Sequence, residues 1–313
     1  MRTYILFRVL QTIPVLIGIS FVVFALLLYS PGDPAVINLR AIMNTEHPPD
    51  EAVAAMRIEM NLDKPWYIQY WSWLARVSTG DLGYSYQSRR STVEEVGNAF
   101  PVTFLLSTLA MFFSCIVAIP LGILSGMRQN SSIDHITRAV SIIGLSIPDF
   151  FIGIIGIMVF AVYLNWVPVA GYEGFEYLIL PAIALAVGMC AITIRLMRTS
   201  MAEVLEEDYI RTAKSKGISQ RLVVQRHALK NAIILVITYM GTQYGWLFGG
   251  SMIIESLFAI PGLGRLFVES ASTRDIMVLQ GCVLVFALVF VFLNLGVDIL
   301  QYILDPRVRQ EYE

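Results

Sequence analysis

The sequence predicts an all-α integral membrane protein. It reads as six transmembrane helices, a small extracytoplasmic helical segment after the first, and a cytoplasmic helix between the fourth and fifth. Three observations predict this. Of 313 residues, 56% are hydrophobic and only 15% charged, with a mean hydropathy of +0.66; soluble domains carry about 25% charged residues. The apolar residues gather in six runs long enough to cross ~30 Å of hydrocarbon at 1.5 Å per residue. The Lys and Arg residues cluster between those runs in a way that places most of them on one side.

The first run, Val9–Tyr29, is interrupted only by Gln11 and Pro14. It follows Arg2 and Arg8 as a signal peptide would, but it is too long and lacks a small-x-small cleavage pattern, so it reads as a retained helix. The second, Val102–Met127, carries no charge. The third, Ala139–Leu164, contains Asp149 directly after Pro148, where a helix break frees backbone groups. An ionisable residue at membrane depth is a functional candidate by default, and Asp149 reads equally as the cap of the resumed helix. The fourth, Tyr177–Met197, ends around Arg195. The fifth, Asn231–Ile260, has Gly241, Gly245 and Gly249 at the four-residue interval of a helix-packing seam. Glu255, near its far end, is placed either to close an outer gate or to bind the amides of the following Pro261–Gly264 turn. The sixth, Ile276–Leu304, holds Asp298.

Placing both termini in the cytoplasm puts Arg2, Arg8, Arg128, Arg138, Arg307, Arg309 and the basic cluster at 195–230 inside. The short outer loop at 165–176 then holds no Lys or Arg. The long outer segment holds several, but long translocated loops are exempt from the positive-inside rule. That segment reads as ordered. Asp50 starts one helix and Pro65 another, which carries five aromatics from Trp66 to Trp73, and Gly80-Asp81-Leu82-Gly83 makes a turn. The aromatic helix suits either headgroup depth or a docking partner. The chain thus divides into 1–29 (N-terminus and first span), 30–101 (extracytoplasmic), 102–304 (the core, with its cytoplasmic loop at 201–230) and a tail at 305–313.

The cytoplasmic loop is a charged, helical island with Gly217 at its centre, set tightly between two spans. Its helix–Gly–helix skeleton also matches a DNA-reading motif. The flanking acidic run from Glu203 to Asp208, the bilayer on both sides and the formal net charge of −2 exclude nucleic acid. Cys115, Cys190 and Cys282 lie singly in apolar runs, and His47, His135 and His227 are scattered, so no metal or disulfide pattern is visible. No phosphate-cradling G-x-x-x-x-G-K-[ST] segment and no H-E-x-x-H occurs, which argues against an enzyme. A secondary transporter or channel is the alternative class, though no inverted repeat is visible.

The strings Asp208-Tyr209-Ile210-Arg211-Thr212-Ala213-Lys214-Ser215-Lys216-Gly217 and Arg226-His227-Ala228-Leu229-Lys230-Asn231-Ala232 resemble the coupling loop of ABC-transporter permeases. With Pro31-Gly32-Asp33-Pro34, Leu62-Asp63-Lys64-Pro65, Pro261-Gly262-Leu263-Gly264-Arg265 and Asp305-Pro306-Arg307, the chain resembles the dipeptide/oligopeptide/nickel importer family over nearly its whole length. Arg211-Thr212-Ala213 stands where permeases in general have Glu-Ala-Ala, and Leu235 where relatives often have proline. The resemblance implies a permease subunit in the cell inner membrane for peptides or nickel. Its implied partners are a homologous second permease, two cytoplasmic ATPase subunits holding the ATP and magnesium, and an extracytoplasmic solute-binding protein. This chain itself would bind no cofactor. The implied ATPase-coupling residues are Leu205, Tyr209, Arg211, Thr212, Ala213, Lys214, Gly217, Arg226 and His227. Leu205, Tyr209 and Ala213 would form an apolar stripe for the ATPase groove. In this family the fifth span borders the translocation path, which makes Thr238, Thr242, Gln243 and Ser251 path candidates beside Asp149 and Glu255.

Overall fold

The computed structural model describes residues 2–28, 32–43, 45–85 and 87–304. Pro31, the Asp305-Pro306-Arg307 string, Arg309 and the tail at 305–313 lie outside the described residues. Helix α1 (Arg2–Leu28) leads into three shorter helices, α2 (Pro34–Met43), α3 (Asp50–Glu59) and α4 (Trp66–Ser78). A short antiparallel hairpin, β1 (Tyr84–Ser85) with β2 (Arg90–Ser91), follows the predicted turn, in which Gly80 and Gly83 take φ of 85° and 89°. Ser91 then caps α5 (Thr92–Met127) by accepting the Glu94 N–H, a Ser-x-x-Glu start placed just before an apolar run.

Helix α6 (Ser132–Ser146) and α7 (Asp149–Gly156), continued by a π-helical stretch over Ile157–Tyr163, occupy the third apolar run. They meet at 96°, so the single span expected over Ala139–Leu164 is broken. Pro148 is the cause: it has no N–H for the helix ladder and drives Ile147 to extended angles, φ −98° and ψ 125°. Helix α8 (Glu176–Glu206) outruns its apolar run and leads directly into α9 (Asp208–Ser215). A short α10 (Gln220–Leu222) and a π-helical stretch over Val223–Ala228 feed α11 (Leu229–Gly250). The fifth span therefore ends at Gly250 rather than Ile260, and Glu255 sits in a separate helix, α12 (Met252–Leu257). Helices α13 (Leu263–Thr273) and α14 (Ile276–Leu304) complete the fold. Among the described residues, five helices are long and apolar enough to cross a membrane, or six if the bent α6–α7 pair counts as one span.

Contacts fix how these helices run. Helices α1 and α14 are antiparallel: Arg8 pairs with Asp298 at 3.1 Å at one end, and Gln280 donates to the Val23 carbonyl at 2.9 Å at the other. We call the side where α1 starts the near side. Helices α5 and α8 are parallel and touch backbone to backbone on the near side. A Cβ on Gly122 would stand 2.5 Å from the Met197 Cβ, and one on Gly126 2.7 Å from the Arg198 carbonyl. Small residues at this four-residue interval are what lets membrane helices approach so closely. The bent pair climbs α8 the opposite way. Asp134 meets Arg198, Gly144 faces Val187 and Ala191, Asp149 lies over Gly188, and Gly156 meets Leu180. The pair thus traverses the same length of α8 as a full span would. Helix α11 joins α8 on the near side through Ser200 Oγ to the Ala232 carbonyl at 3.0 Å. Its far end stacks Phe248 on Phe100, and Gly241 and Gly245 seat Val297 and Phe290 of α14, two contacts of the expected seam.

The aromatic helix α4 lies along the far half of α1. Tyr70 and Trp73 are buried against Phe24, and the Tyr70 hydroxyl meets Ser20 Oγ at 2.8 Å, while Trp66, Tyr67 and Trp71 stay exposed. Two of the five aromatics therefore hold α4 to the bundle, and three face outward.

This arrangement puts exposed Glu173 and exposed Ser219 at opposite ends of the bundle. In a background freed of the native cysteines, Glu173→Cys and Ser219→Cys are expected to react with an impermeant maleimide from opposite sides of sealed vesicles. Labelling of both from the same side contradicts the helix directions given above.

Candidate functional site

The near side carries the element singled out in the sequence. Glu207 takes extended angles, φ −65° and ψ 147°, and breaks α8 from α9 without a loop. Helix α9 is two-faced: Ile210 and Ala213 are buried against Met197, Met201, Val223 and Ala228, while Tyr209, Arg211, Thr212 and Lys214 are exposed. Gly217 follows with φ +76°, and nothing stands within 4 Å of where its Cβ would be. Glycine is needed there for backbone angle alone. After it, Arg226 is exposed and His227 half-buried in the π-helical stretch that leads back to the membrane.

The expected apolar stripe of Leu205, Tyr209 and Ala213 is not one outward face. Four-residue spacing makes a stripe only on a continuous helix, and the break at Glu207 leaves Leu205 half-buried on α8. Ala213 turns inward, and only Tyr209 stays exposed, its hydroxyl accepting from Asn231 Nδ2 at 2.8 Å. The outward face is basic and polar instead. Arg211 pairs there with Asp208 at 3.4 Å, an exposed pair of little energetic weight.

A buried ion pair that sequence reading missed anchors this element. Asp134 is fully buried. It receives Arg198 through two parallel bonds, Nε to Oδ1 at 2.6 Å and Nη2 to Oδ2 at 2.9 Å. Ser125 Oγ adds a bond at 2.6 Å, and the Asn130 N–H one at 3.0 Å. One carboxylate thus ties the end of α5, the start of α6 and the last third of α8. Asp134 falls in a polar stretch between apolar runs, where a lone Asp carries no signal; its partner stands 64 residues away in sequence.

The far side holds a second buried carboxylate. Glu255 accepts from Thr103 Oγ1 at 2.8 Å, Ser251 Oγ at 2.7 Å and the Arg265 N–H at 3.0 Å. Thr103 Oγ1 in turn accepts from the Leu263 N–H at 2.8 Å. Glu255 and Ser251 are both fully buried, and Glu255 and Thr103 bind the backbone at the start of α13 while Ser251 supports Glu255.

The other candidates lie along α7, α8 and α11. Asp149 opens α7 without a side-chain capping bond. It lines a cleft of about 280 Å³ with Pro148, Gly188, Gln243 and Trp246. Gln243 donates to the Tyr239 hydroxyl, whereas Thr238 and Thr242 bond back to the Ile234 and Thr238 carbonyls of their own helix. The structure therefore brings Asp149 and Gln243 together and places Ser251 and Glu255 elsewhere.

Comparison with known proteins decides the family. Residues 118–310 match the family described as binding-protein-dependent transport system inner membrane component, and residues 1–107 match the N-terminal component of the same systems. The chain belongs to this family. It is similar to the glutathione transport system permease protein GsiC of Escherichia coli K12, 38% identical over 309 residues and 99% of each chain. It is likewise similar to GsiC of Salmonella typhi, 37% identical over the same lengths. In structure it is similar to a chain of the inward-facing MetNI methionine ABC transporter, with TM-score 0.56, 17% identity, and 67% of this chain and 96% of that one covered. The protein is thus a multi-pass inner-membrane permease subunit of an ABC importer of the peptide/nickel type, and ATP hydrolysis belongs to separate subunits.

The clamp at Asp134 gives a direct expectation. Arg198→Gln leaves a fully buried carboxylate with only Arg138, 3.8 Å away, as cation, and losing the bidentate partner costs up to about 3–5 kcal/mol. The variant is expected to melt well below the parent in detergent, and adding Asp134→Asn is expected to recover part of the loss. Equal and additive losses in the two single variants and the double variant show that the pair is not coupled.

Proposed function

We propose that this permease forms, with a homologous second permease, the path of an ATP-driven importer for short peptides. Two ATPase subunits supply the stroke and an extracytoplasmic solute-binding protein delivers the cargo. The near side faces the cytoplasm, because Arg8, Arg128 and the basic residues of α9 and the stretch after it lie there. Six spans fit the helix directions, with the α6–α7 pair acting as the third. The whole-length likeness to permeases named for glutathione transport supports a peptide-like cargo over nickel.

The observation that carries the coupling reading is the two-faced burial of α9. Ile210 and Ala213 fix it to the ends of α8 and α11, and its other face, with Tyr209, Arg211, Thr212 and Lys214, is free to meet a partner. Docking on that face moves α9 and α8 as one body, because no flexible loop separates them. Arg226 and His227 extend the same surface beyond the Gly217 turn.

Gly217 tests this. A β-branched residue at φ +76° costs roughly 1–2 kcal/mol of backbone strain, whereas Asn tolerates that conformation. In the reconstituted complex, Gly217→Val is expected to abolish most peptide uptake and the rise in ATP hydrolysis that loaded binding protein causes. Gly217→Asn is expected to keep both. Normal uptake by a correctly assembled Gly217→Val complex contradicts the lever.

A further inference from the structure

Among the described residues, Asp149 on α7 and Arg195 on α8 make no ion pair, and they have opposite signs. Asp149 is half-buried, and among the described residues its carboxylate makes no ion pair or hydrogen bond. Arg195, further along α8, is exposed and likewise makes no ion pair, while Arg198 is fully engaged by Asp134. Charges inside a membrane protein ordinarily pair or serve a ligand. A second cleft of about 240 Å³, lined by Arg138, Ser141, Arg195 and Thr199, lies next along α6 and α8, and Leu145 lines both.

We propose that these two adjoining clefts together hold a short zwitterionic peptide by its two ends, its ammonium group on Asp149 and its terminal carboxylate on Arg195. The proposal rests on the peptide-import reading given above and adds the subsite and the cargo length. Asp149 lies over Gly188, and Gly188 stands seven residues before Arg195 on α8, about 10 Å of helix. The ends of an extended chain of about three residues lie the same distance apart. Each end of the cleft has the chemistry its ligand needs. A carboxylate takes a charge-assisted bond from an ammonium, and a guanidinium fork takes a carboxylate through two.

The middle of the cleft suits peptide amides. The break at Ile147–Pro148 leaves helix-end donors and acceptors without intrahelical partners, and at membrane depth such backbone is tolerated where it lines a polar cavity. Gln243 adds a side-chain amide from α11. A phospholipid phosphate would satisfy Arg195 and leave Asp149 unused, as would any singly charged anion.

The test uses the complete complex in proteoliposomes, with trialanine as cargo and ATP inside. Asp149→Asn and Arg195→Gln are each expected to lower ATP-driven trialanine uptake about tenfold or more, the worth of one charged bond pair. ATP hydrolysis stimulated by loaded binding protein is expected to persist, and Asp149→Glu and Arg195→Lys to restore most of the uptake. Uptake within about twofold of the parent in either neutral variant overturns the proposal. Loss of stimulated ATP hydrolysis together with uptake also overturns it, because the residue is then structural. Restoration of Arg195→Gln by anionic lipid overturns it in favour of a lipid site. If the parent complex imports no trialanine at all, the peptide reading itself fails, a result distinct from these.

Discussion

The Asp134–Arg198 bond is the constraint on which the near side depends. A carboxylate buried to this degree is held only if its lone pairs are filled, and here two guanidinium bonds, a serine hydroxyl and a backbone N–H fill them. Those four donors come from three segments that are otherwise joined only by a short turn and a long excursion across the membrane. The glycine contacts at Gly122 and Gly126 bring α5 and α8 close enough for the bond to form. Glu255 does the same on the far side, drawing Thr103 of α5 to the α12–α13 turn without any cation. Helix α5 is therefore fastened at both ends by buried carboxylates, and α8 leaves this frame straight into α9.

Much of the fold was legible in the sequence because the bilayer imposes it. Long apolar runs gave the helices and their order. Gly217 was legible because glycine takes its positive φ without the strain that a β-branched side chain would bring. The breaks were harder to read. Pro148 marks the break in sequence, but a bend of 96° is decided by what packs on either side of it. The end of α11 at Gly250 was masked by apolar residues that continue to Ile260, of which Ile254, Phe258 and Ile260 are buried against the rest of the protein.

The site was legible by residue type and only partly by face. Helical periodicity placed Leu205, Tyr209 and Ala213 together, and the break at Glu207 undid that grouping. For Glu255 the sequence left an outer gate and the amides of the Pro261–Gly264 turn both open, and the carboxylate accepts the Arg265 N–H that follows that turn. Asp134 and Arg198 were not seen, since a pair so far apart in sequence has no local pattern. Tertiary contact alone identifies it.

The central claim is that α5, α6, α8 and α9 form one rigid body through the Asp134 clamp. Spin labels at Gln129→Cys, on the turn after α5, and Ser215→Cys, at the end of α9, report on it directly in the assembled transporter. Pulsed dipolar spectroscopy is expected to give one distance population, the same in nucleotide-free and ATP-trapped complexes, and a broadened one when Arg198→Gln is added. A shift or a second population on ATP binding with the clamp intact would show that α9 moves on its own.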